Sequence, residues 1–424
     1  MLKILLVSAI FFATYLGIIW EKINRTTVVV AGASLMLVLG LLPVSEAWKH
    51  NLDYNTLGLL IGMMIIVGVI KKTGLLQYVA IKLTKFSRGN FFVLFLLFSV
   101  ATAVFSAFLD NVTTILVVAP ITILIAETAG KHPLPFLVSE VICSNVGGTA
   151  TLIGDPPNML VGSASGYSFT AFAVNLSPIA VLALVVSIGV LFLMYRRHLG
   201  GRIGSARFQS MDEKKAITDP KLLRSALVVF GLTLVGFLLH DSLNVLPSVV
   251  ALTGAIILLA VTRVHPDEAL AEVEWTTLFF FVGLFVIVGA VDRAGLISAL
   301  GRGLVASVRN PVYLRIIILW SSGVCSAFLG AVPVATAFIP LVQNLAGELA
   351  LSPQAVEPLW WSLALGASLG GIGTILGTAS AMVVVGISQR TRYRITYRSY
   401  FAVGSLVMIL SLLLSTAYVL LRYR

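Results

Sequence analysis

The stretch Ser144-Asn-Val-Gly-Gly-Thr-Ala-Thr-Leu-Ile-Gly-Asp-Pro-Pro-Asn158 interrupts a long apolar run and cannot continue it as one regular helix. Pro156 and Pro157 carry no amide hydrogen and clash with the preceding turn, while Gly147 and Gly148 let a second backbone approach closely. Backbone groups released at membrane depth must be buried in protein or line a wet cavity. The stretch therefore reads as the break in a discontinuous helix. Asn145, Gly148, Thr149, Thr151 and Asn158 are candidate substrate-binding groups there, and Asp155 is a carboxyl that can exchange a proton. A plain kinked helix repaired by its neighbours is the competing reading, and the density of polar side chains weighs against it.

The surroundings of this break are those of a membrane protein. Of 424 residues, 58% are hydrophobic and 11% charged, with a mean hydropathy of +1.01, against about a quarter charged in soluble domains. Apolar runs recur from end to end, most of them reaching the ~17–25 residues of a membrane-crossing helix. The first, Ile4 to Trp20, has no small-residue cleavage pattern after it and reads as a retained helix rather than a signal peptide. The net charge of +11 would suggest nucleic acid in a soluble chain. Here the basic residues fall between apolar runs without an aromatic-basic groove, so they orient the protein in lipid and no nucleic-acid partner is expected. Cys143 and Cys325 lie far apart in apolar or small-residue runs, which supports neither a disulfide nor a metal site, and no cofactor is expected.

The break recurs. Ser144 to Thr151 and Gly154 return as Ala367-Ser-Leu-Gly-Gly-Ile-Gly-Thr374 and Gly377. Upstream, Ser106-Ala-Phe-Leu109 returns as Ser326-Ala-Phe-Leu329, with Pro120 matching Pro340. Further upstream, Asp53-Tyr-Asn-Thr56 with Gly62 and Gly74-Leu75 returns as Glu274-Trp-Thr-Thr277 with Gly283 and Gly295-Leu296. Three blocks in one order, at offsets of 220 to 223 residues, mark a duplicated unit. Interruptions at matching positions of two halves point to a secondary transporter's binding site.

The duplication organises the chain. Residues 1–45 form N-terminal helices; 46–195 form repeat 1, with a hairpin over 91–127 and a broken helix over 133–165. Residues 196–224 are a cytoplasmic linker and 225–262 are helices preceding the second core. Repeat 2 spans 263–424, with a hairpin over 311–349 and a broken helix over 357–388. Two re-entrant hairpins and about ten spanning helices place most of the 29 basic residues, Arg25, Arg202, Arg207, Arg390 and Arg392 among them, on the cytoplasmic side, with the repeats inverted. The expected fold is thus an all-α integral membrane protein of two inverted repeats, in the inner (plasma) membrane.

Ionisable groups inside lipid cost about 2.5–3.5 kcal/mol each on insertion scales, which marks Asp110, Glu140 and Asp155 as proton-coupling candidates. Asp110 stands at the first hairpin tip, Ser106-Ala-Phe-Leu-Asp-Asn-Val-Thr-Thr114, with Asn111 and Thr113 as further substrate contacts. It is equally suited to cap the following helix. Glu140 reads as either a vestibule residue or a proton site. On the second repeat, Thr374 and Thr378 are the candidate contacts.

These two segments of repeat 1 resemble the ion transporter (IT) superfamily, specifically its ArsB-type arsenical-resistance permease and P-protein branch, and the likeness covers nearly the whole chain. It implies two re-entrant hairpins, two broken helices and a substrate held where tips meet breaks. Repeat 2 departs from the pattern, with Gly330-Ala331 in place of an Asp-Asn tip, Ile372 in place of an Asn, and Met382 closing Ser380-Ala-Met382. The departures remove ligands for a second sodium ion.

Substrate class follows from charge. Between Phe91 and Tyr195 the only Lys or Arg is Lys131, and there is none between Leu351 and Gln389. An anion would lie there without a fixed partner. The expectation is proton-coupled efflux of neutral arsenite or antimonite, with sodium/proton antiport and anion or dicarboxylate transport as alternatives. A lone Cys143 is a weak arsenic ligand. An intramembrane aspartyl protease lacks its Gly-x-Gly-Asp signature, because Leu152 occupies the first position, so no enzyme is expected. No phosphate-binding Gly-x4-Gly-Lys loop occurs, although a separate cytoplasmic ATPase could dock, and a homodimer is compatible with the chain.

Overall fold

The computed structural model describes residues 2–20, 22–128, 130–200, 213–308, 310–389, 391 and 393–423. The middle of the 196–224 linker and Arg202, Arg207, Arg390 and Arg392 lie outside the described residues. Among those described, every regular element is helical. The N-terminal pair is α1 (Leu2–Trp20) and α2 (Arg25–Val38). Repeat 1 continues with α3 (Tyr54–Lys72), α4 (Leu75–Phe86), α5 (Phe91–Ser106), α6 (Asn111–Thr128), α7 (Leu134–Gly148), α8 (Pro156–Ser165) and α9 (Phe169–Tyr195). The second half follows the same order: α10 (Pro220–Leu239), α11 (Pro247–Thr262), α12 (Trp275–Arg293), α13 (Leu296–Ser307), α14 (Pro311–Leu329), α15 (Ala331–Glu348), α16 (Pro353–Gly370), α17 (Ala379–Gln389) and α18 (Tyr397–Arg422).

Eight of these helices are long and apolar enough to cross a membrane: α1, α3, α6, α9, α10, α12, α14 and α18. Two of the eight, α6 and α14, are arms of the expected hairpins. Helices α2 and α11 are shorter, and α7 with α8, like α16 with α17, divides one crossing into two pieces. The helices begin where short polar side chains can satisfy free amides. Asn24 caps α2, Asp53 caps α3 and Asn90 caps α5.

The duplication extends further than the sequence blocks reach. Gly32 of α2 lies against Thr14 of α1 and within 3.4 Å, measured from an added Cβ, of Ile287 on α12. Gly254 of α11 lies against Thr233 of α10 and within 3.2 Å of Ile66 on α3. Each N-terminal pair therefore packs on the long helix of the other repeat. The contact is tight: a Cβ at Gly62 would sit 2.7 Å from the Leu252 nitrogen, and one at Gly283 would sit 2.7 Å from Val29 Cγ1, so only glycine fits at either place. Ion pairs join segments that the charge pattern puts on one side. Lys71 and Lys72 meet Glu272 on one face, and Arg293 meets Glu46 on the other.

Candidate functional site

The first break is a turn, residues 149–155, held open by its own side chains. Asn158 Nδ2 donates to the carbonyls of Thr149 (3.1 Å) and Thr151 (2.8 Å). Thr151 Oγ1 donates to the Ala107 carbonyl at the hairpin turn and accepts from the Gly154 amide at 3.1 Å. Thr149 Oγ1 donates back to the Asn145 carbonyl at 2.8 Å. A Cβ at Gly148 would sit 2.8 Å from the Gly154 carbonyl oxygen, so the two limbs of the turn touch. In the second repeat Thr374 repeats the role of Thr151, donating to the Ala327 carbonyl and accepting from the Leu376 amide at 3.1 Å.

The tip of the α5–α6 hairpin meets this break. Asn111 Nδ2 donates to Asn145 Oδ1 (3.2 Å) and to Asp155 Oδ1 (3.4 Å). Asn145 Nδ2 reaches across to the second repeat, donating to Ser380 Oγ at 3.0 Å and Thr378 Oγ1 at 3.5 Å. Asp110 Oδ1 accepts from the amides of Val112 (2.8 Å) and Thr113 (3.0 Å), so it caps α6 while it also faces the cavity.

That cavity has a volume of about 610 Å³, within the ~300–1,000 Å³ usual for small-molecule sites. Much of its lining consists of helix starts and their caps. Asn24, Arg25 and Thr26 come from α2; Asp110, Asn111 and Val112 from α6; Asp155 and Pro156 from α8; Glu274, Thr276 and Thr277 from α12; Ala331, Val332 and Pro333 from α15; and Thr378 and Ala379 from α17. Six N-termini thus converge on one space. One guanidinium, Arg25, and three carboxyl groups, Asp110, Asp155 and Glu274, share it. Arg25 is half-buried, and its Nη2 donates to the Leu376 carbonyl at 3.5 Å.

The structure sorts the sequence candidates. Asp110, Asn111, Asn145, Asp155 and Thr378 line the cavity. Gly148, Thr149, Thr151, Asn158 and Thr374 do not; their polar groups are used in shaping the breaks. Thr113 lies one turn into α6, off the cavity, and contributes its amide to the Asp110 cap. Glu140 is fully buried away from the cavity, with Oε1 accepting from Thr122 Oγ1 at 2.5 Å and Oε2 without a partner among the described residues. Cys143 is wholly buried beside Ser139 and touches no part of the cavity. The sequence places Arg25 on the cytoplasmic side and leaves the site without a fixed positive charge, whereas the start of α2 carries Arg25 into the lining. Glu274 was also missed as a site residue, although its repeat block was plain in the sequence.

A family profile described as citrate transporter (CitMHS) matches residues 15–366. An uncharacterized transporter of Mycobacterium tuberculosis is 36% identical over 418 residues, covering 98% of this chain and 97% of that one. The P protein of Mus musculus is 30% identical over 501 residues, and the match takes in 98% of this chain but 60% of the P protein. Among solved structures, the YdaH transporter of Alcanivorax borkumensis, described as having an unusual topology, aligns with a TM-score of 0.59 at 16% identity over 96% of this chain and 97% of that one. The last likeness concerns the fold.

Proposed function

Since this chain belongs to the citrate transporter family of multi-pass membrane transporters, we propose that it is a secondary transporter of the plasma membrane whose cavity holds a small carboxylate or comparable oxyanion, coupled to a cation. The observation that carries this reading is the convergence of six helix N-termini and Arg25 on one cavity. Each N-terminus carries about half a positive charge, which favours an anion. Among the described residues those of α12 and α15 have no side-chain cap, whereas Asn24 and Asp110 cap α2 and α6 and α8 opens on Pro156-Pro157. The three carboxyl groups oppose an anion until they are neutralised. A proton or sodium ion taken up by Asp110, Asp155 or Glu274 therefore makes room for the anion, and the two are carried together. Alternating access follows from the two discontinuous helices packed between repeats.

A second reading, efflux of neutral arsenite or antimonite, is favoured by one observation. Among the described residues the hairpins and broken helices bring no Lys or Arg to the cavity: Lys131 donates to the Gly200 carbonyl at 2.7 Å and Arg315 to the Tyr423 carbonyl. Thermal unfolding of the purified protein separates the two, because a ligand that binds the native state raises the midpoint by mass action. Citrate or succinate is expected to raise it and arsenite to leave it unchanged. The converse would favour the neutral substrate.

A further inference from the structure

The two broken helices are equivalent in sequence and inequivalent in contact. At the offset of 223 residues that aligns the breaks, Met159 and Ser163 of α8 correspond to Met382 and Gly386 of α17. On the α8 side the space is shut. Ser163 Oγ donates to Asp53 Oδ1 at 2.8 Å, Asn55 Nδ2 donates to Ser163 Oγ at 3.2 Å, and Thr56 Oγ1 lies 3.4 Å from the Met159 carbonyl oxygen. On the α17 side, the counterparts of Asp53, Asn55 and Thr56, namely Glu274, Thr276 and Thr277, face Met382 and Gly386 across the open cavity. The flanking contacts are present in both halves: the Ser248 amide donates to Asn55 Oδ1 at 3.1 Å, and Thr26 Oγ1 donates to the Thr276 carbonyl at 3.0 Å. Only the engagement of the broken helix differs.

We propose that Asp53, Asn55 and Ser163 form a hydrogen-bonded latch that shuts one mouth of the transport path, and that Gly386 is the same latch with its hydroxyl removed. In the alternate conformation the inverted repeats exchange contacts, so α17 closes on Glu274 and Thr276 while α8 parts from Asp53. That closure has no hydroxyl to give to the Glu274 carboxylate, whereas the present one gives Ser163 to Asp53. A charge-assisted hydrogen bond made in one state alone biases the equilibrium toward it. The protein therefore rests with the Arg25 mouth open, and residue 386 sets how strongly. This rests on the transport reading for its purpose, but not for its measurement.

The test is Gly386→Ser. Gly386 has open space where a side chain would stand, so the variant is accommodated in the conformation seen. The reporter is Gln389→Cys at the mouth, in a Cys325→Ala background with the buried Cys143 retained, labelled by a membrane-impermeant maleimide in vesicles exposing that mouth. Gly386→Ser is expected to shift the ratio of open to closed mouths about tenfold toward closed, the worth of one charge-assisted bond, and to slow labelling by the fall in open fraction this brings. Gly386→Ala, which fills the space without the hydroxyl, is expected to leave it unchanged. Ser163→Ala, which weakens the opposite latch, is expected to slow it as well. Gly386→Ser labelling at the parent rate, or Gly386→Ala slowed as much as Gly386→Ser, would overturn the proposal. No substrate enters this assay, so a chain that moves no anion yet gives the expected rates rejects the transport reading and keeps the latch.

Discussion

Asn145 of α7 donates to Ser380 Oγ of α17 at 3.0 Å while its Oδ1 accepts from Asn111 Nδ2 at 3.2 Å. One buried amide thus joins the first break, the first hairpin tip and the second repeat. Asn145→Leu keeps the volume and leaves Asn111 and Ser380 without this partner. Unsatisfied buried groups cost about 1–3 kcal/mol each, so a fall in unfolding free energy of that order is expected, together with loss of transport in reconstituted vesicles.

Thr151 and Thr374 tie each break to the turn of its own hairpin, through the Ala107 and Ala327 carbonyls. Neither lines the cavity. Thr151→Val and Thr374→Val are isosteric and remove the bond, and each is expected to lower stability by about 1–3 kcal/mol. Thermal unfolding and substrate titration together check this: the midpoint should drop while the Kd of the folded fraction is retained.

Asp155 lies in the cavity lining and accepts from Asn111. If it takes up the coupling cation, Asp155→Asn fixes it in its neutral form. Uptake driven by an imposed pH or sodium gradient should then be lost, while exchange of substrate for substrate across the membrane, which needs no net cation movement, should continue. Asp110→Asn should be milder, because the amide oxygen can still accept from the α6 amides that Asp110 caps.

Glu140 contrasts with these acids. It is sealed from the cavity and held by Thr122. Glu140→Gln preserves shape and the acceptor oxygen, so transport rate and its pH profile should stay within about twofold of the parent, since a contact this conservative shifts little free energy. A displaced pH profile would instead bring Glu140 into the coupling path.

The first break was legible because its cause is local, Pro156-Pro157 a few residues after Gly147-Gly148, and the second because it repeats the Gly-Gly and Thr positions of the first. Thr151 and Thr374 stand among the candidate ligands in the sequence, but the repeat itself carries a signal for their hydrogen bonds to the hairpin turns. A polar residue retained at the same position of both copies serves what the copies share, which is the shape of the break. Asp155, whose repeat counterpart is Thr378, differs between copies and lines the cavity. Arg25 escaped because its place depends on α2 packing against the opposite repeat. The close fit of Gly283 on Val29, like that of Gly62 on Leu252 in the other half, encodes that packing, but only as pairs distant in sequence, which no local pattern reveals.

The central claim is that an anion rests among helix N-termini beside Arg25. Uptake of radiolabelled citrate and succinate into proteoliposomes under an imposed proton or sodium gradient, compared between the parent and Arg25→Gln, tests it most directly. The account predicts gradient-driven uptake of one of these anions by the parent and a loss of at least about tenfold in Arg25→Gln, as expected when a charge partner is removed. Equal uptake by both proteins, or arsenite movement by the parent with no anion movement, would contradict it.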